Sequence, residues 1–288
     1  MKYDGLTNQI RAHVLVQALP YLQKYYGKTI VIKYGGNAMT SDDLKEQVME
    51  DIVLLTMVGV RVVLVHGGGP ELSSLMQRLG KKPEFIDGLR VTDKETIDMA
   101  QMVLAGKINK SLVNLLQMKG GQAVGLSGMD GRLIQAKIRD PKYGYVGDVT
   151  EVNADIINTL LDSGYIPVIS TLGCDEQGNT YNINGDTGAG RIASAIGAER
   201  LIMMTDIEGI MTDKDDPNSL IPKLTVSEAE KLMDQRIISG GMIPKVSCCI
   251  DALNDGVKAA VIIDGRVPHA TLMEILTDEG AGTLISKE

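Results

Sequence analysis

Six short runs rich in β-branched residues, each separated from the next by a longer stretch of helical spacing, set the main constraint on this chain. The runs are Thr29–Tyr34, Val60–His66, Gln122–Leu126, Tyr165–Thr171, Leu201–Thr205 and Lys258–Asp264. Helical patterns fill Asp42–Val58, with Thr40 and Ser41 as cap candidates, then Glu71–Leu79, Lys94–Lys119, Asn153–Ser163, Thr187–Ile196, Thr225–Asp234 and Pro244–Asp255. Strands joined in series through helices line up in parallel, and the helices cover both faces of the sheet they form. The prediction is an α/β fold of three layers, a mostly parallel central sheet between two helical layers, with sites at the carboxyl ends of the strands.

Three segments depart from the alternation. Met129–Val149 and Leu172–Asn182, the latter with Asp175 to Asn179 as a hairpin turn, are expected to form an antiparallel flap over a pocket. Leu6–Tyr26 reads as a helix that Pro20 kinks or breaks. Such an extension serves assembly or packs on its own subunit, and the sequence leaves both open.

Composition excludes several classes. The 29 basic residues against 37 acidic ones leave a net charge of −8, the wrong sign for a nucleic-acid backbone, and one Phe with no Trp leaves little for base stacking. The longest apolar run, Ala259–Ile263, falls far short of the ~18 residues that a spanning helix needs. Asp4 and Arg11 interrupt the start where a signal peptide would be apolar. Cys174, Cys248 and Cys249 follow no disulfide framework or metal spacing, and with His only at 13, 66 and 269 no metal site is expected. These features predict a reducing, cytoplasmic setting.

The chemistry gathers where strands end. Lys33 stands near the end of the first strand, two residues before Gly35 and Gly36, a place that suits an anion, although an ion-paired lysine beside a tight turn reads the same way. His66-Gly67-Gly68-Gly69-Pro70 ends the second strand and opens a helix, a second anion cradle. It matches neither the dinucleotide fingerprint nor the P-loop. Arg90, in Gly88-Leu89-Arg90-Val91-Thr92, can grip a carboxylate with its fork or pair with a surface acid. Asn182 to Asp186 precedes a helix, where position favours a capping role for Asp186 over one in orienting cations. Thr205-Asp206-Ile207-Glu208-Gly209-Ile210 is a polar turn able to hold a ribose, and Ser239-Gly240-Gly241 leads to Lys245. No hydrolase triad exists. Phosphoryl transfer to a carboxylate needs none, because an acid with a pKa of about 4.3 is already ionised at pH 7.

The ordered set Lys33-Tyr34-Gly35-Gly36, His66 to Pro70, Gly88 to Thr92, Asn182 to Asp186, Thr205-Asp206 and Gly241 to Lys245 resembles the amino acid kinase family from about Tyr26 to the C-terminus. Six short motifs in one order make the resemblance specific. It implies ATP-dependent phosphorylation, with Mg²⁺, of the side-chain carboxylate of N-acetyl-L-glutamate in arginine biosynthesis. On this resemblance Lys33 and Lys245 stabilise the transferred phosphoryl group and Asp186 holds both ammonium groups. Gly68, Gly69, Arg90 and Asn182 bind the acceptor. The nucleotide falls to Gly35, Gly36, Asp206, Ile207, Glu208, Gly209, Ile210, Met211, Ile237, Ile238 and Ser239. The implied organisation is a kinked assembly helix over 1–27, an acceptor lobe over 28–199 and an ATP lobe over 200–288.

The extension and the segment His269–Thr283 also resemble the family's arginine-inhibited branch, which implies a homohexamer built as a trimer of dimers and an L-arginine site at His269, Glu274, Gly280 and Gly282. Two positions depart from the family pattern: Gly185 stands where Ala is usual, and Met129 where a basic residue often follows Ser-Gly. The rival readings are a sister kinase acting on glutamate, aspartate, carbamate or UMP, and a sensor of arginine or nucleotide without turnover.

Overall fold

A computed structural model describes residues 7–39, 41–213 and 216–288. The strands in chain order are β1 (Thr29–Tyr34), β2 (Arg61–His66), β3 (Phe85–Ile86), β4 (Leu89–Arg90), β5 (Ala123–Ser127), β6 (Ile134–Ile138), β7 (Gly147–Val152), β8 (Ile166–Ser170), β9 (Leu172–Cys174), β10 (Thr180–Asn182), β11 (Arg200–Thr205), β12 (Lys223–Thr225), β13 (Ala259–Asp264) and β14 (Gly282–Ser286). The α-helices are α1 (Asn8–Gln17), α2 (Leu19–Tyr25), α3 (Asp42–Met57), α4 (Gly69–Arg78), α5 (Lys94–Gln101), α6 (Asn109–Met118), α7 (Asp155–Asp162), α8 (Gly185–Ala195), α9 (Val226–Asp234), α10 (Met242–Asn254) and α11 (Ala270–Leu276).

Eight strands form the central sheet in the order β12-β14-β13-β11-β1-β2-β8-β5. The six strands from β13 to β5 in that order run parallel, as expected from the alternation, while β14 pairs antiparallel with β13 at the reversed edge. The period of two along β1 shows how the sheet divides the core. Ile30, Ile32 and Tyr34 pack with α3, α5 and α6, whereas Val31 packs on the opposite face with Ala189 and Ile192 of α8 and Val246 and Cys249 of α10. Lys33 shares the face of Val31, so its side chain emerges among the first turns of α8 and α10. The chain leaves β1 for β2 on one side and later returns to build β11 and β13 on the other. A crevice opens where the order reverses.

Second-tier elements cover the carboxyl edge. The expected flap is a four-stranded sheet, β10-β9-β6-β7, joined by antiparallel pairs except where β6 meets β9. β3 and β4 form a hairpin whose turn residues Asp87 and Gly88 both have positive φ, 52° and 78°. Asp-Gly meets that demand with little strain.

Several helix boundaries differ from expectation. Ser41 caps α3, accepting from the Leu44 amide at 3.4 Å, and Thr40 lies outside the described residues. The long helix expected over Lys94–Lys119 is continuous but widens into a π-helical stretch over Met102–Ile108. The extension breaks at Ala18, and Pro20 sits within the first turn of α2, where its missing amide costs nothing; Leu6 lies outside the described residues. The described residues include no helix long and apolar enough to cross a membrane.

Candidate active site

Lys33, at the end of β1, and Lys245, in the first turns of α10, meet at Asp186 in the first turn of α8. Lys33 Nζ lies 2.8 Å from Asp186 Oδ1, and Lys245 Nζ donates to Oδ2 at 2.9 Å. Capping of α8 falls to Asn184, whose Oδ1 accepts from the amides of Asp186 and Thr187 at 2.9 and 3.1 Å. The capping role that position favoured for Asp186 is therefore corrected: the asparagine two residues earlier takes the amides and leaves the carboxylate for the lysines. Burial pushes the Asp186 carboxyl up, but the two ammonium charges outweigh it and bring the group down to about 2. It stays ionised at any pH the protein meets. Cys248 Sγ donates to the Asp186 carbonyl at 2.9 Å, and burial pushes that thiol up to about 12, so it serves as a packed donor. All three cysteines are free thiols.

Two cavities adjoin this group. The first is lined by Gly67, Gly68, Gly69, Arg90, Asn182 and Gly185, with Phe85 and Val146 on its rim. Here the structure brings together all four residues expected for the acceptor. The first turn of α4 leaves amides without intrahelical partners, and glycine lets them approach a ligand. A Cβ on Gly68 would fall 2.6 Å from Leu104 Cδ2 and closer still to Ile108 Cδ1, so the π-helical stretch packs directly on the cradle. Arg90 is buried, donates to the Gly69 carbonyl at 2.8 Å and Ser73 Oγ at 2.7 Å, and stacks on Phe85 with 4.8 Å between guanidinium carbon and ring centre. It has no acidic partner among these contacts, which suits a positive charge waiting for an anionic ligand. Gly185 has room for the family's usual alanine, since a Cβ would sit 3.5 Å from Lys33 Cε. Met129 lies beside the flap strand β10, its sulfur 3.8 Å from Thr180 Oγ1.

The second cavity lies between the β11 exit and the start of α10, lined by Ile207 to Met211 and Ile237 to Ser239. Met242 and Arg266 also line it, and sequence reasoning missed both. Arg266 is held in a fork by Asp264, with its Nη2 at 2.7 Å from Oδ2. A lysine or arginine just past a strand end was the signal available for Arg266, the same one that marked Lys33. Asp206 approaches Thr205 Oγ1 at 3.3 Å from its Oδ1 and does not line the cavity. Gly35 and Gly36 sit on the Lys33 side of the group: a Cβ on Gly35 would lie 3.5 Å from Lys33 Nζ.

A third cavity separates α2 from α11 and β14. Glu274, Gly280 and Gly282 line it with Tyr21, Lys24 and Arg200. Glu274 is already engaged, 2.5 Å from Arg200 Nη1 and accepting from the Ala281 amide at 2.9 Å. His269 is not part of this cavity. Its Nδ1 lies 2.6 Å from Asp51 Oδ1 on α3, and burial pushes the Asp51 carboxyl up to about 6 despite that contact.

A site that couples two ammonium groups through one carboxylate, between an anion cradle and a second cavity, is that of a phosphotransferase. The profile of the amino acid kinase family matches residues 28–264, and the chain belongs to that family. It is 52% identical over 281 residues to the acetylglutamate kinase of Caldanaerobacter subterraneus subsp. tengcongensis, covering 97% of this chain and 94% of the relative. Among solved structures it resembles N-acetylglutamate synthase from Neisseria gonorrhoeae complexed with coenzyme A and N-acetyl-glutamate, with a TM-score of 0.84 and 28% identity over 96% of this chain. The chain spans 63% of that longer protein. The same synthase complexed with coenzyme A and L-arginine gives a TM-score of 0.80 at 26% identity, covering 96% of this chain and 65% of the other.

Proposed function

We propose that this chain uses ATP to phosphorylate the side-chain carboxylate of N-acetyl-L-glutamate, giving N-acetyl-L-glutamyl 5-phosphate and ADP in the cytoplasmic synthesis of arginine. The observation that carries the reading is the Lys33–Asp186–Lys245 group, in which Asp186 follows Gly185 of the first cavity and Lys245 stands one turn beyond Met242 of the second. Acceptor in the lobe over 28–199 and nucleotide in the lobe over 200–288 then face one another across it. A carboxylate oxygen of the acceptor attacks the γ-phosphorus, the bond from that phosphorus to the β,γ-bridging oxygen breaks, and ADP leaves with the electron pair. No proton moves, so no general base is required. Lys33 and Lys245 neutralise the charge on the migrating group, and Asp186 keeps both in place while they do so.

Among the described residues no group of three His, Cys, Asp or Glu side chains is placed to hold a metal. Mg²⁺ enters with the nucleotide as MgATP, offsetting the charge of its phosphates. Arg90 and Asn182 fit the α-carboxylate end of the acceptor, and the cradle amides of Gly68 and Gly69 supply further donors. The α2–α11 cavity fits L-arginine as a feedback inhibitor, its guanidinium sharing Glu274 with Arg200 and the backbone near Gly280. That a structurally similar synthase was solved in complex with L-arginine supports arginine as the kind of ligand. Helix α1 buries none of its residues, and Val14, Leu15 and Val16 are exposed, which fits an arm that joins dimers into a hexamer.

A coupled ADP-release assay across N-acetylglutamate, glutamate, aspartate, carbamate and UMP tests the reaction. Turnover with N-acetylglutamate is expected; turnover confined to another acceptor would replace this reading.

A further inference from the structure

His66 takes no part in the transfer described above, yet it is fully buried directly beside the acceptor cradle. Its Nδ1 lies 2.8 Å from the carbonyl oxygen of Gly67, and its Nε2 lies 3.2 Å from Asn109 Nδ2. Lys110 Nζ donates to Asn109 Oδ1 at 3.0 Å, so the asparagine's NH₂ group faces the ring and also reaches the carbonyls of Leu126 and Val168 at 3.0 and 2.9 Å. A carbonyl only accepts, so the proton sits on Nδ1, and the unprotonated Nε2 faces the Asn109 amide, whose two hydrogens are shared between the ring and the two carbonyls. Ring, tautomer and orientation are set by the Gly67 carbonyl and by Asn109, the first residue of α6, which carbonyls of β5 and β8 hold in turn.

The fixed ring has a consequence one peptide further on. In a planar trans peptide the carbonyl of one residue and the N–H of the next point to opposite sides. The Gly67 carbonyl is held on the side of the imidazole, so the Gly68 N–H points away from it. At its other end Gly67 donates its own N–H to the Tyr34 carbonyl at 3.0 Å, so its two peptide planes are pinned. Gly67, Gly68 and Gly69 line the acceptor cavity, and the π-helical stretch that packs on Gly68 runs straight into Asn109. One buried network thus supports the cradle from behind.

We propose that His66 is a positioning residue for acceptor binding: its Nδ1–H turns the Gly67–Gly68 peptide so that the Gly68 N–H is aimed at the bound acceptor. This rests on the reading that the cavity takes N-acetylglutamate. Burial lowers the imidazole to about 4, so the ring acts as a neutral donor across the working range.

The conservative variants separate the two ring nitrogens. His66→Asn keeps an N–H near the place of Nδ1, whereas His66→Gln moves the amide to the place of Nε2 and loses that donor. Steady-state kinetics on the full chain are expected to show a rise of about tenfold in KM for N-acetylglutamate in H66Q, with KM for ATP changed less than about twofold. H66N is expected to restore most of the loss. Equal KM values in the two variants, or parallel rises in both substrates' KM, would overturn the proposal and leave His66 as packing alone. Where H66Q does not accumulate as folded protein, Asn109→Ser carries the same test, because it loosens the ring without removing it. A selective rise in KM for N-acetylglutamate supports the proposal, and a rise shared with ATP overturns it. Calorimetric titration of the wild type with N-acetylglutamate separates this failure from that of the functional reading: absence of binding overturns both, whereas wild-type binding with indistinguishable variants overturns the positioning role only.

Discussion

Lys33 and Lys245, drawn from opposite halves of the sequence, are held on the two oxygens of a single carboxylate at 2.8 and 2.9 Å. The arrangement explains how two ammonium groups can stand close together before the nucleotide arrives. Without Asp186 they would repel one another and drift apart.

Lys33→Ala and Lys245→Ala are expected to lower kcat by two to three orders of magnitude, about 3–4 kcal/mol each, since each removes a donor aimed at charge that develops during transfer. Asp186→Asn is expected to act mainly on kcat as well, by freeing both lysines. Single-turnover transfer from radiolabelled ATP reads the step directly. Loss of nucleotide binding with an unchanged transfer rate would place the lysines elsewhere in the cycle.

The Asp186 carboxyl also predicts a pH signature. Its native value, about 2, lies below the unfolded value near 3.8, so the folded state binds fewer protons between them. The stabilisation is complete above about pH 4 and is lost as pH falls toward 2. Equilibrium unfolding of wild type and D186N should therefore show a stability gap that is constant from about pH 5 to 8 and shrinks below about pH 4. A gap that widened on acidification would contradict the ion-paired geometry.

The contacts that hold Arg90 among the described residues include the Gly69 carbonyl, Ser73 Oγ and the Phe85 ring but no carboxylate. Burial lowers its pKa, the direction expected of a cation taken from water before its counter-ion binds. Arg90→Lys keeps the charge and loses the fork and the stacking surface. A rise of about ten- to a hundredfold in KM for N-acetylglutamate is expected, about 1.5–3 kcal/mol, with kcat less affected. Initial-rate measurements with both substrates varied would show it.

Much of this site was legible before any coordinates, for a physical reason. Buried parallel strands need continuous β-branched runs, and glycines at their ends admit an anion, so Lys33 and Gly68 stand at marked positions, whereas the shared role of Asp186 and Lys245 rested on the family resemblance. What escaped notice lacked such marks. The edge strand β14, Gly282–Ser286, is missing from the six expected runs because it is short and joins the sheet only through tertiary pairing. Asn184 and Asp186 are equally good caps by type, and only the approach of α10 from the far end of the chain decides between them. The π-helical turn at Met102–Ile108 leaves no trace in the apolar spacing, and His269 opens the effector segment in sequence but faces α3 in space.

Two glycines offer a paired test of which cavity holds which substrate. A Cβ on Gly68 would crowd Leu104 and Ile108 behind the first cavity, whereas on Gly209 it would fall 2.6 Å from Thr283 Oγ1 and 2.7 Å from Leu220 Cδ1 beside the second. Gly209 also has a φ of 152°, which side chains other than hydrogen rarely tolerate. Gly68→Ala is expected to raise KM for N-acetylglutamate and Gly209→Ala that for ATP. The strain in each case is about 1–3 kcal/mol, or about five- to a hundredfold if it falls wholly on binding. Reversed effects would exchange the two assignments.

With arginine bound in the α2–α11 cavity as proposed, regulation and assembly would be linked, because α2 supplies one wall of the cavity and continues from the exposed α1. Removing residues 1–25 should therefore reduce the mass measured by light scattering from hexamer to dimer and abolish inhibition by arginine together, while leaving transfer intact. Glu274→Gln should uncouple the two. Glutamine keeps the shape and the bond accepted from Arg200, though its NH₂ replaces the oxygen that accepts from the Ala281 amide; the assembly is expected to persist, but the charge that a guanidinium ligand seeks is gone. The expected result is a hexamer whose half-inhibitory arginine concentration rises by at least about tenfold, corresponding to the loss of one charge-assisted pair. If E274Q remained as sensitive as the wild type, the inhibitor would have to bind outside this cavity. If the truncated chain kept both its mass and its sensitivity, α1 would be packing on its own subunit, and its exposed Val14, Leu15 and Val16 would need another explanation.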